Sequence, residues 1–113
     1  MQYPDRFDTV DYDVHVGAGI AAPPNEEPAF DRQFRALTQK RIDVIGWKNN
    51  QPTIIEVKYR VSLDTLGQVL GYRALYLKEN PEILGLPILI VCHIIGPDDR
   101  YVLNHFSVPY VMV

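Results

Sequence analysis

The sequence predicts an α/β domain built on a mixed β-sheet with flanking helices. Three observations carry that reading. Two runs rich in β-branched residues, 41–47 and 53–59, stand on either side of Lys48-Asn49-Asn50-Gln51, which has the composition of a hairpin turn. A helix-forming stretch, 64–78, follows the second run, and an apolar strand pattern, 88–95, follows the helix. A strand, a helix and a strand in that order make a crossover, so 53–59 and 88–95 should lie parallel and be joined right-handed.

Taken in order, residues 1–27 read as an extended N-terminal arm. Pro4, Pro23 and Pro24 interrupt regular structure there, and Gly17 and Gly19 loosen it. Within the arm, Tyr12 to Ile20 alternates weakly, the pattern of a short strand. Residues 28–113 then make the folded domain, separable from the arm. Pro28 suits a first helical position, and Glu26 and Glu27 suit the positive end of a helix dipole. Phe30, Phe34 and Leu37 recur at helical spacing, which predicts a helix over 28–38. Ile42, Val44 and Ile45 mark the strand at 41–47, and Thr-Ile-Ile-Glu-Val-Lys-Tyr marks its antiparallel partner. Ser62 or Asp64 caps the long helix. Pro87 opens the strand at 88–95, which is apolar on both faces and so central. Gly96-Pro97-Asp98-Asp99 reads as a turn, with short strands at 101–104 and 106–112 to finish.

A length of 113 residues, 47% apolar and 22% charged, suits one domain and excludes disorder across the whole chain. The longest apolar run, Leu86 to Cys92, contains Pro87 and falls far short of the ~20 residues of a membrane helix, so no membrane partner is expected. Asp5, Asp8, Asp11 and Asp13 stand where a signal peptide would need a basic start and an apolar stretch. The single Cys92 leaves no internal disulfide and fits a reducing, cytoplasmic setting. The net charge of −3 hides three blocks. Residues 1–31 hold seven acids and one base, 32–60 seven bases and two acids, and 61–113 five acids and three bases. The acidic balance argues against a generic nucleic-acid binder, whereas the basic middle block would suit a phosphate chain.

The two acids inside that basic block are Asp43, in the first hairpin strand, and Glu56, in the second. Side chains alternate along a strand, so Glu56 and Lys58 share one face while Ile55 and Val57 take the other. Hairpin pairing can set Asp43 across from Glu56. Two carboxylates and an ammonium then converge. Hard oxygen donors of this kind suit Mg²⁺, which keeps waters for a phosphate substrate. The same three residues would also serve as a plain ion-pair cluster. On the long helix, Gln68 and Tyr72 are four apart and share a face. Cys92-His93, Trp47, Tyr72 and Tyr76 read first as packing residues rather than as a zinc site or base-stacking platforms.

Asp43, then twelve residues, then Glu56-Val57-Lys58, then Gly67-Gln68-Val69-Leu70-Gly71-Tyr72, resembles the PD-(D/E)XK nuclease superfamily. The resemblance covers about residues 28–95. It implies a restriction-endonuclease-like core and hydrolysis of DNA phosphodiesters with Mg²⁺ or Mn²⁺. By that pattern Asp43 and Glu56 match the metal carboxylates, Lys58 the catalytic lysine, and Gln68 the glutamine that many members carry on the following helix. Many members also carry a Glu on the helix before the Asp strand; here Phe30 to Gln39 has none. The acidic, Pro-rich arm resembles that of small phage-encoded proteins with this core, which implies the alternative of a non-catalytic virion protein, a head–tail connector or adaptor piece. In that alternative the partners are other virion proteins or copies of the chain itself. Tyr3, Phe7, Tyr12 and Val14 would anchor the arm, its acids would meet the basic block of a neighbour, and a homo-oligomer is expected. The apolar residues from Phe106 to Val113 should add a strand to their own sheet or pair with another chain's edge.

Overall fold

The structure, a computed structural model, describes residues 6–113. Five strands lie side by side in chain order: β1 (Thr9–Val16), β2 (Lys40–Lys48), β3 (Gln51–Arg60), β4 (Ile88–Ile94) and β5 (Tyr110–Met112). β2 pairs antiparallel with both β1 and β3, and β3, β4 and β5 run parallel. The fold is therefore α/β with a mixed sheet, and both the hairpin and the parallel pairing of its second strand with 88–95 are present. Asn49 and Asn50 close the hairpin with φ of +51° and +63°. Both angles are left-handed, a conformation that asparagine tolerates better than most residues and that matches the twist of a two-residue hairpin loop.

Three helices complete the described residues: α1 (Pro28–Thr38) between β1 and β2, α2 (Leu63–Glu79) between β3 and β4, and α3 (Pro97–His105) between β4 and β5. At the start of α2, the buried Thr65 hydroxyl accepts the Ser62 N–H at 3.1 Å, which satisfies a donor that the helix cannot. Ile42, Ile45, Ile54, Val69, Ile88, Ile90 and Leu103 pack together on the α2 side of the sheet. Val44, Ile55, Leu89 and Val91 form a smaller cluster on the other side, with Phe7, Val10 and Val111 against it. There the Phe7 ring lies directly on Gly46, where any Cβ would come within 2.6 Å of it, so that position has room only for glycine. Ile88 through Cys92 are all buried, as a strand covered on both faces requires.

Four expectations need adjustment. The first strand begins at Thr9, three residues before the predicted start, and ends at Val16. Residues 9–16, read as part of an extended arm, form an edge strand paired along β2, and Val16 is only 1% exposed. Residues 101–104 belong to α3 and are not a strand: Pro97 opens the helix and Asp98 and Asp99 occupy its first turn, where proline and acids favour helix and not only a tight turn. Of the strand predicted over 106–112, only 110–112 pair, as a parallel addition to β4 in the chain's own sheet. Expectations attached to Tyr3, Pro4 and Asp5 concern residues outside the described range.

The acidic segment and the basic block meet within one chain. Asp8 pairs with Lys48 at 3.3 Å and Asp13 with Arg41 at 3.7 Å, while Asp11 accepts the Trp47 indole N–H at 2.9 Å. The Asn49 N–H and Lys48 together hold the Asp8 carboxyl below its ordinary range. Helix α1 buries no residue. It is tied down by its polar side: Asp31 accepts the Ala22 N–H at 2.8 Å and Thr38 accepts the Ile20 N–H at 2.6 Å. Among the described residues, no helix is long and apolar enough to cross a membrane.

Candidate functional site

The β2–β3 ladder runs from Lys48 and Gln51 at the turn as far as Val44 and Ile55. One step further, the facing positions are Asp43 and Glu56. Here the Asp43 carboxylate replaces a backbone partner: its Oδ2 accepts the Val57 N–H at 3.4 Å. The loss of regular pairing is what frees both side chains to converge at the mouth of the hairpin. Ile54, two residues before Glu56, packs with the α2-side core, so Glu56 and Lys58 take that same side.

Glu56 is only 2% exposed, an unusual place for a carboxylate. Its Oε1 lies 3.7 Å from the Lys58 ammonium, which is itself partly exposed. Its Oε2 is buried and has no hydrogen-bond partner among the described residues. Burial lifts the Glu56 carboxyl from 4.5 to about 7; the adjacent Asp43 carboxylate adds to the rise and Lys58 opposes it. Asp43 itself is exposed. The arrangement is an open carboxylate beside a closed one, with the Lys58 cation in reach. Among the described residues, no group of three or more His, Cys, Asp and Glu side chains converges, in keeping with the absence of a Glu on the helix before β2.

Above this pair lies α2. Burial raises the Tyr72 hydroxyl, and the charges of Glu56 and Asp43 raise it further. Tyr72 also lines a cavity of about 300 Å³ together with Gln68, Gly67, Gly71, Leu75 and, from the start of β2, Lys40. Gln68 is thus on the groove wall with Tyr72, exposed, and its side chain makes no hydrogen bond among the described residues. Lys40 was not singled out by sequence reasoning; its place in the basic block was the available signal. Gly67 and Gly71 are both exposed within the helix, and a Cβ on either would meet nothing within 4 Å. Each weakens α2 by roughly 1 kcal/mol relative to alanine.

The remaining candidates are elsewhere. Cys92 is 1% exposed in the α2-side core, and burial pushes its thiol up. His93 is next on the strand and so takes the opposite face, where it stacks on Tyr59 and its Nδ1 lies 2.8 Å from the Val113 carbonyl. The two cannot share a metal. Trp47 packs against the core and Tyr76 is buried within it. No protein-family model, curated protein or solved structure matches the chain. What the site can do is read from its own geometry.

Proposed function

We propose that the chain is a nuclease of the PD-(D/E)XK type, with a restriction-endonuclease-like core that hydrolyses DNA phosphodiesters with a divalent metal ion. The observation that carries this reading is Glu56. A buried carboxylate oxygen with no partner, beside a second, exposed carboxylate, is stable as a site for a proton or a cation. The donors are hard oxygens, so Asp43 and Glu56 would hold Mg²⁺ or Mn²⁺. Such an ion polarises a phosphoryl oxygen and lowers the pKa of bound water. Lys58, partly exposed and 3.7 Å from Glu56, carries a positive charge where negative charge develops on the phosphate. The exposed Gln68 amide offers both a donor and an acceptor to a substrate or an attacking water. The hairpin followed by a helix and a parallel strand agrees with the core that the resemblance implies.

The test is plasmid cleavage in Mg²⁺ or Mn²⁺. Cleavage should vanish in EDTA, and Asp43→Ala and Lys58→Ala should each abolish it while the fold persists by circular dichroism. Retained cleavage in either variant overturns the assignment. A second reading, an assembly piece of a virion, draws on α1: Phe30 is 45% and Leu37 73% exposed on a helix that buries nothing. Mass measurement of the intact chain in solution tests it, and a strict monomer removes it.

A further inference from the structure

The two edges of the sheet differ. Along a strand, alternate residues turn their backbone groups toward opposite neighbours. On β5, the Pro109 carbonyl accepts the Ile90 N–H at 3.1 Å, and the Val113 N–H donates to the Cys92 carbonyl at 2.8 Å. Pro109, Val111 and Val113 therefore face β4, and the N–H and C=O groups of Tyr110 and Met112 point away from the sheet. β5 is the last strand in the order, so no strand among the described residues pairs with them. Soluble chains guard such an edge with charge, proline or a bulge. The opposite edge, β1, is guarded in this way: it carries Asp11 and Asp13, and Asp13 disturbs it with φ of +54°. β5 is not. No charged residue stands between Phe106 and Val113, Pro109 turns toward β4, and Met112 is 51% exposed.

We propose that the β5 edge pairs with the β5 edge of a second copy of this chain, joining two sheets into one. A copy brings like residues together, which the acids of β1 forbid and the uncharged β5 permits. The edge is also self-complementary. With a two-fold axis at Val111, antiparallel pairing lets Tyr110 exchange both backbone hydrogen bonds with Met112 of the partner subunit, and Met112 with Tyr110 of the partner subunit. Tyr110 and Met112 stand beside Ile90 and Cys92 of β4 and share their α2-side face. There the thioether meets an aromatic ring across the strands, a favourable contact. Val111 takes the other face and meets its own copy at the axis. Such an axis runs through the sheet from face to face, so both α3 helices stand on one side of the joined sheet. Each carries an exposed aromatic row, Tyr101, His105 and Phe106, with ring centroids 6.4 Å and 4.9 Å apart. That row is apolar surface beside an edge too short to hold a dimer alone, and the association is accordingly weak, with a Kd on the order of 10 μM.

Sedimentation equilibrium of the full chain, from about 1 to about 200 μM, should show a monomer–dimer equilibrium. Met112→Lys sets like charges against each other across the axis and should raise the dimer Kd by roughly tenfold or more. Met112→Pro removes an outward N–H that the ladder to β4 does not use, and should do the same. Leu37→Asp, on the exposed face of α1, should leave the Kd unchanged. A parent chain that is monomeric throughout overturns the proposal, as does a dimer that survives Met112→Lys or is lost in Leu37→Asp. Cross-linking reads the register directly. A residue pair at the axis stands about 4.5 Å apart between Cα atoms, within disulfide reach. Val111→Cys should therefore form a disulfide-linked dimer on air oxidation, seen by non-reducing electrophoresis, while Tyr12→Cys on the exposed side of β1 stays monomeric. Cross-linking through Tyr12→Cys and not through Val111→Cys overturns the pairing.

Discussion

Glu56 is held in the fold at a cost that changes with pH. Its folded carboxyl titrates at about 7 and its ordinary value is 4.5, so between those limits the folded chain keeps a proton that the unfolded chain has released. Stability without metal should therefore be highest at the acid end of that window, fall as pH rises through it, and level off above, by at most about 3 kcal/mol. Glu56→Gln should flatten this profile and raise the melting temperature at pH 8; an unchanged slope in thermal melts would show that the burden lies on another group. A cation should relieve the same strain. At pH 8, Mg²⁺ at about a hundred times its Kd should stabilise the chain by ~2.7 kcal/mol, and Asp43→Ala should abolish the shift seen by scanning calorimetry. The convergence of Asp43, Glu56 and Lys58 was legible because spacing on a hairpin is written in the sequence. The burial of Glu56 was not, since it depends on how α2 settles on the sheet. Nor was the bond from the Val57 N–H to Asp43, which exists only because the ladder stops at Val44.

At the scale of elements, long and strongly patterned segments were the readable ones. The hairpin, α2 and β4 follow from β-branched runs, an Asn-Asn turn and a helix between two strands. Helix α3 was hidden by Gly96-Pro97-Asp98-Asp99, whose composition serves a turn and a helix start equally; Leu103, buried at 1%, tips the balance through packing that sequence alone does not display. Strand β1 was displaced because Asp13 adopts φ +54° where its apolar side changes: Val10 joins the smaller cluster, and Val14 joins the larger. In α2, Gly67→Ala should stabilise the chain by roughly 0.5–1 kcal/mol. A rise of several degrees in the melting temperature would follow; a fall would mean that the helix needs glycine for its own packing.

For the molecule as a whole, the charge blocks were correctly located, but their partners were not foreseen. The acidic segment was expected to seek a basic surface on a neighbour, whereas Asp8 and Asp13 reach Lys48 and Arg41 of the same chain. Linear charge counts cannot tell these cases apart, because the answer depends on which strand borders β2. The N-terminal region is correspondingly part of the sheet. Deleting residues 1–24 should strip the edge from β2, expose Ile42 and remove Val16, whose burial alone stabilises by roughly 1.5–3 kcal/mol. Urea melts of the truncated chain should shift to lower midpoints, and an unchanged midpoint would show that β1 contributes nothing.

The strands stand in the sheet in the same order as in the chain. During synthesis, then, each one docks on the border left by its predecessor, and none must be inserted between two that are already paired. The last border to be covered is that of β4. It is the most apolar strand, and α3 separates it from the three residues that finally cover it. Until β5 docks, β4 offers a nascent chain's neighbours an unpaired template of the kind that seeds aggregation. A chain ending at Ser107 should leave that template open permanently and partition into inclusion bodies, while the full-length chain remains in the supernatant.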